Sequence, residues 1–391
     1  MTSPPAVLGG PQAFPGGLPL VRPYVPGIPA LASRLQSILE SGQLTNGRTV
    51  AELEGRVADL LGVAHVVGVA SCTSGLMLVL QALDATGRVV LPSFTFAASA
   101  HAVVWAGGSP DFAEVDPATC TLDPADAGPL VEGASAMTAT HVYGTPCRTD
   151  ELQALADVAG IPLVYDAAHA LGSKRAGVPI GGFGAAEVFS LSPTKVVVAG
   201  EGGLVTTNDA GLAEACRLGR DYGNPGDYDC RFPGLNARMS ELHAAVALAS
   251  LEGLDERIAH RGALAARFGA GVAGVGGLTP AAVPAGDTST FKDLTVIVDP
   301  RGFGLTAVQL AQALRAEGID SRQYYFPPIH LQKAYATRWP GRRPLPVTEE
   351  LSTRVLSVPL WSHMTTGQIE SVADAVVRIH ADAEAVSRAL A

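Results

Sequence analysis

The sequence predicts an α/β fold: a mostly parallel sheet with helices on both faces, followed by a smaller α+β C-terminal domain. Three observations lead there. Short Val-rich runs such as AHVVGVA (64–70) and RVVLP (88–92) alternate with stretches of helical periodicity. Those runs are apolar at successive positions, as strands buried on both faces are. The alternation then ends at a long helical stretch, Met239 to Phe268, and sparser elements follow.

The elements follow in chain order. Residues 4–29 carry many prolines and glycines and read as an extended, irregular arm. A short helix is expected over Leu31–Glu40. Thr49 and Glu52 suggest a capping box for the next helix, in which Val50, Leu53, Val57 and Leu60 share one face. Strands are expected at 64–70, 88–92, 136–142, 161–166, 186–191 and 203–208. Helices are expected at Gly75–Leu83, Thr95–Ala106 and Asp150–Ala159. Beyond the long helix come a strand (Phe291–Asp299), a helix (Thr306–Glu317, closed by Gly318), a strand near Ser321 and a last helix from Thr366. The expected division is an arm (1–30), a large α/β domain (31–250) and a small α+β domain (251–391).

Composition narrows the function. The chain has 391 residues, is 47% hydrophobic and 16% charged, and carries a formal charge of −10. That excludes a disordered chain. The acidic balance disfavours nucleic acid as the main partner, because phosphate neutralisation needs a basic face. A small anionic ligand stays open, since helix N-termini bind such groups locally. No apolar run reaches the ~18 residues that a membrane span needs, and no leader pattern precedes the arm. The five cysteines are scattered and never form a CxxC pair. They fit reduced thiols in a cytoplasm and no metal site.

Four local signals carry chemistry. Ser71-Cys72-Thr73-Ser74-Gly75 follows a strand and opens a helix, where hydroxyls and free amides cradle phosphate; the ordinary alternative is a helix cap. Asp166 ends IPLVYD, and His169 follows it closely, at the strand end where α/β folds place ligands. Lys195 follows Ser190 among glycine turns; desolvated there, a lysine becomes a competent nucleophile. Asn236-Ala237-Arg238-Met239 opens the long helix. A phosphate cradle, a carboxylate and a lysine on successive strand–helix junctions is the set that pyridoxal 5'-phosphate needs.

The sequence resembles the DegT/DnrJ/EryC1/StrS sugar aminotransferases, which are fold-type-I (aspartate-aminotransferase-like) pyridoxal phosphate enzymes. The resemblance runs through Leu44-Thr45-Asn46-Gly47, Pro92-Ser93-Phe94-Thr95-Phe96, His141-Val142-Tyr143-Gly144, Asp166-Ala167-Ala168-His169, Ser190 with Thr194-Lys195, Glu201-Gly202-Gly203, Asn236-Ala237-Arg238-Met239, and Tyr325-Phe326-Pro327-Pro328 with His330. It implies Lys195 as the Schiff-base lysine and Asp166 as partner of the pyridine nitrogen. It implies His169 beside the phenolic oxygen, Phe96 on the ring face, and Thr73, Ser74 and Ser190 on the phosphate. Asn236 would reach that phosphate from the partner subunit of a homodimer with shared active sites. Where many members have Gly before the phosphate-binding Thr, this chain has Cys72.

The implied reaction moves an amino group from L-glutamate to a nucleotide-linked ketosugar, with pyridoxamine 5'-phosphate as the intermediate cofactor form. A dehydratase of the same fold would carry His in place of Lys195. A non-catalytic homologue would need neither Lys195 nor Asp166. Gly9-Gly10-Pro11-Gln12-Ala13-Phe14, the Leu44–Gly47 run and the DAAHALG segment look most like the branch that converts TDP-4-keto-6-deoxy-D-glucose to its 4-amino product, on routes to amino-deoxysugars of natural products. A 3-aminotransferase of the same family is the alternative. Arg231, Arg238, Arg322, Tyr325 and His330 are the candidate substrate contacts.

Overall fold

The computed structural model describes residues 3–339 and 343–390. Seven strands form the central sheet: β1 (His65–Val69), β2 (Arg88–Pro92), β3 (Ser109–Ala113), β4 (Ala136–Thr140), β5 (Leu163–Asp166), then, after a small hairpin of β6 (Lys174–Arg175) and β7 (Val178–Pro179), β8 (Ala186–Ser190) and β9 (Gly203–Thr207). Their spatial order is β1-β9-β8-β5-β4-β2-β3. The pairs from β8 through β3 are parallel, and β9 runs antiparallel to both of its neighbours. The expected mostly parallel sheet is therefore present. The edge strand β3 was missing from the sequence reading; Pro110 and Asp111 disguise it, and an edge position tolerates both.

Alternate residues of each strand enter opposite cores. Val67, Val69, Val89, Leu91, Val164, Val188 and Val205 pack beneath the Cys72–Ala82 and Ala97–Trp105 helices. Val66, Phe189 and Leu204 pack on the other face with the Arg48–Leu61 and Glu241–Leu251 helices. Burial on both faces is why the strands read as continuous apolar runs. The period of two also puts Asp166 on the same face as Val164, toward the Cys72–Ala82 helix.

Three local expectations are corrected. The Thr49–Glu52 capping box does not form, because the helix starts at Arg48 with Gly47 as its cap. Its first amides are satisfied from far along the chain: Gly47, Thr49 and Val50 N–H donate to the buried Glu241 carboxylate at 2.8–2.9 Å. Glu52 instead pairs with Arg34. The single helix Met239–Phe268 is two, Glu241–Leu251 and Leu254–Val272. Gly253 breaks it at φ 66°, a conformation that favours glycine. No strand forms at Ser321; Arg322 makes one isolated bridge to Ser357.

The C-terminal part holds β10 (Leu278–Pro280), β11 (Leu294–Val298) and β12 (Val355–Val358) as an antiparallel sheet. The Leu254–Val272, Ala307–Ala316 and Thr366–Ala381 helices cover it around Trp361, Phe268 and Phe303. The N-terminal segment lies on this layer. Glu317, fully buried, accepts from Ala6 and Ala13 N–H and pairs with Arg378. Leu18 bridges Ile319.

Candidate active site

The carboxyl ends of β4, β5 and β8 open on one cavity of about 350 Å³. The register aligns Thr140 with Asp166, and Asp166 with Val188, two residues short of Ser190. Side chains distant in sequence thus share one floor.

Asp166 is 3% exposed. Its Oδ2 accepts from Ser99 Oγ at 2.6 Å and its Oδ1 from Ala168 N at 3.1 Å. Cys72 Sγ stands 3.8 Å from Oδ1 and 3.4 Å from the Val188 carbonyl. The thiol is buried and its pKa is pushed well up by burial and by Asp166, so Cys72 stays a neutral neighbour. The carboxylate is held on two sides and faces the cavity, which suits it to fix a proton on a ring nitrogen.

Lys195 lies on the turn after β8, its amide donating to Ser192 O at 3.0 Å. Burial, then the charge of Lys292, bring its pKa down to about 8. At mildly alkaline pH a substantial fraction is neutral, which makes this amine a usable nucleophile and base. His169 accepts the Tyr143 amide on Nδ1 at 3.2 Å, which leaves the proton on Nε2. Burial and both lysines push its pKa well down, so the imidazole is neutral.

The phosphate cradle expected from the sequence falls at the N-terminus of the Cys72–Ala82 helix. The Cys72 and Thr73 amides precede the first intrahelical bond, from Gly75 N to Ser71 O. Gly203 lets the helix start lie directly on β9: a Cβ there would come within 2.6 Å of Cys72 N. Thr73 and Ser190 line the cavity beside these amides. Ser74 does not. Its hydroxyl accepts from Ser71 N and donates to Ser71 O, closing a capping box.

Phe96 lines the mouth, 61% exposed, with its ring 6.4 Å from that of Tyr325. Tyr325 is thus the one member of the predicted substrate set that faces the cavity. His330 is buried elsewhere: Nδ1 shares a 2.6 Å bond with Ser93 Oγ and Nε2 contacts Glu349. Arg322 is exposed outside the cavity. Asn236, Arg231 and Arg238 also lie outside their own chain's cavity; Arg231 pairs with Asp227 and Asp229, Arg238 with Asp221. Sequence reasoning missed Ser99, Thr140, Tyr324, Lys292 and Asp293 in the site. Ser99 sits in the first turn of the Ala97–Trp105 helix and meets Asp166 only through packing. Lys292 and Asp293 come from the segment before β11, with no local signal linking them to the strand ends.

The donor set fits pyridoxal phosphate: a buried carboxylate, a lysine with a depressed pKa, a neutral imidazole N–H, and hydroxyls with free amides at a helix start. The comparisons agree. Residues 29–377 match the model of the DegT/DnrJ/EryC1/StrS aminotransferase family. A dTDP-3-amino-3,4,6-trideoxy-alpha-D-glucose transaminase of Streptomyces venezuelae is 36% identical over 87% of this chain and 89% of its own. A UDP-N-acetyl-3-dehydro-alpha-D-glucosamine 3-aminotransferase of Acidithiobacillus ferrooxidans is 34% identical over 87% and 91%. Among solved structures, DesI crystallised with its TDP-sugar product superposes with a TM-score of 0.90 at 38% identity, covering 97% of this chain and 96% of that one. The chain belongs to the DegT/DnrJ/EryC1/StrS aminotransferase family and is a pyridoxal-phosphate-dependent nucleotide-sugar aminotransferase.

Proposed function

We propose that the enzyme aminates TDP-4-keto-6-deoxy-D-glucose at C4, with L-glutamate as donor, to give TDP-4-amino-4,6-dideoxy-D-glucose for deoxyaminosugar and antibiotic biosynthesis. The supporting observation is likeness, along 97% of the chain, to a structure determined with its TDP-sugar product.

When bound, pyridoxal phosphate supplies an electron-accepting ring that lets an amino group pass between two carbon skeletons. Asp166, anchored by Ser99 and Ala168, would hold a proton on the ring nitrogen. Thr73, Ser190 and the helix amides would hold the phosphate, and His169 Nε2–H would donate to the phenolic oxygen. Lys195 Nζ, partly neutral, would act as base and then acid within each half-reaction, taking a proton from one carbon and delivering it to another before that half-reaction ends. Phe96 and Tyr325 cover the mouth and keep water from the reacting atoms.

The active unit is a homodimer in this reading. Asn236 is exposed and outside its own cavity, which suits a residue serving the partner's phosphate site. The alternative is amination at C3, favoured by the names of the two curated relatives. Incubation with L-glutamate and either TDP-4-keto-6-deoxy-D-glucose or its 3-keto isomer, followed by NMR location of the new nitrogen, decides between them. Nitrogen at C4 of the 4-keto sugar supports the proposal; turnover of the 3-keto isomer alone, or no product from either, overturns it.

A further inference from the structure

The sequence contains only four lysines, Lys174, Lys195, Lys292 and Lys333, against many more arginines. Two of the four, Lys195 and Lys292, line the same cavity, and no arginine among the described residues lines it. Lys292 is 5% exposed. Its Nζ donates to Asp293 Oδ1 at 2.7 Å and lies 5.6 Å from the centre of the Tyr324 ring. A buried lysine is costly to place, and here the fold places it firmly.

The segment that carries it is fixed from three sides. Lys292 N–H donates to Tyr143 O at 2.8 Å. Thr290 Oγ1 donates to His169 O at 2.6 Å. Arg261, buried in the Leu254–Val272 helix, donates to the carbonyls of Thr290, Phe291 and Lys292. The same residues that seat His169 therefore seat Lys292. The Asp293 carboxylate has one oxygen on Lys292 and the other buried without a partner. The ion pair with Asp293 fixes the position of the Lys292 amine.

We propose that Lys292 is a positioning residue for Lys195: a fixed, Asp293-anchored cation that disfavours charge on the second amine and so holds it ready as a neutral nucleophile and base. Lys195 need not be fully dehydrated for this to work. Both lysines line one cavity, and solvent ions screen buried charges little. The charged and titratable groups around Lys195 are Lys292 from the segment before β11, Asp293 beside it, Asp166 at the end of β5, His169 after it, Cys72 at the helix start, Glu201 on the glycine turn, and Tyr324 and Tyr325 at the mouth. Of these, Lys292 is the nearby cation that opposes Lys195 charging, while Asp293, Cys72 and Asp166 favour it. The inference rests on Lys195 being the reacting amine.

The test is competitive amine labelling of the cofactor-free full chain across pH 6–11, read by mass spectrometry at Lys195, with exposed surface amines as internal references. Lys292→Met should raise the midpoint for Lys195 by about one pH unit, which near pH 8 slows its labelling roughly fivefold. Lys292→Arg keeps the cation and should leave the midpoint in place. If Lys292→Met fails to fold because Asp293 is left unpaired, the double variant Lys292→Met/Asp293→Asn replaces the pair by neutral groups and decides the matter with a smaller rise. In the holoenzyme, the pH at which the bound cofactor's absorbance changes should move in the same direction. An unchanged or lowered Lys195 midpoint in the folded Met variants, or a shift in Lys292→Arg equal to that in Lys292→Met, overturns the proposal. Borohydride trapping of cofactor on a residue other than Lys195 would instead overturn the assignment on which it rests.

Discussion

Ser99 Oγ donates to Asp166 Oδ2 at 2.6 Å, joining the first turn of the Ala97–Trp105 helix to the end of β5. The serine also sits 3.1 Å from Thr95 Oγ1, which reaches Thr140. A hydroxyl chain thus carries the carboxylate's position across three elements. Ser99→Ala should lower stability by about 1–3 kcal/mol, the usual cost of leaving a buried charged acceptor short of a donor. Urea unfolding of the cofactor-free protein measures this; a loss near zero would show that water replaces the hydroxyl.

Asp166→Asn separates charge from shape. The amide keeps an acceptor for Ala168 N and can still pair with Ser99, so the fold is retained. Charge opposite a protonated ring nitrogen is lost, and kcat should fall by about 100-fold or more. Melting temperature and kcat measured on the same preparation check both halves. Near-normal turnover would remove Asp166 from its assigned role.

Lys195 has a pH signature in stability. Its folded pKa is about 8, below the ordinary lysine value. Between the two values the unfolded chain binds the extra proton, so stability rises with pH there. Below pH 8 the full cost of burying the ammonium applies. The stability difference between Lys195→Met and the native chain, both without cofactor, should therefore shrink as pH climbs from 8 to the ordinary lysine range. A pH-independent difference would contradict the depressed pKa.

Glu241 holds three amides at the start of the Arg48–Leu61 helix. Glu241→Ala should cost about 2–4 kcal/mol, because those buried donors lose a charged acceptor. Glu52→Ala should cost well under 1 kcal/mol, its pairing with Arg34 being exposed. Chemical denaturation of the two variants side by side tests which carboxylate caps the helix.

Much of the site was legible from the sequence because chemistry at strand ends is local. Asp166 ends an apolar run, Lys195 follows the next, and the Ser71–Gly75 turn opens a helix. Lys292, Asp293, Ser99 and Tyr324 were not legible as site residues, because no short-range pattern relates them to those strand ends. His330 and Ser74 erred the other way. Their polar groups are used internally, by Ser93 and Glu349 and by the Ser71 cap.

The sequence by itself determined the parallel α/β core, since strands buried on both faces must be apolar at every position. It also determined the order of phosphate cradle, carboxylate and lysine, which adjacent residues encode. Only the tertiary structure decided which carboxylate caps the Arg48–Leu61 helix and which second lysine faces Lys195. Both depend on side chains that meet from more than 90 residues apart, and such meetings are set by packing rather than by periodicity.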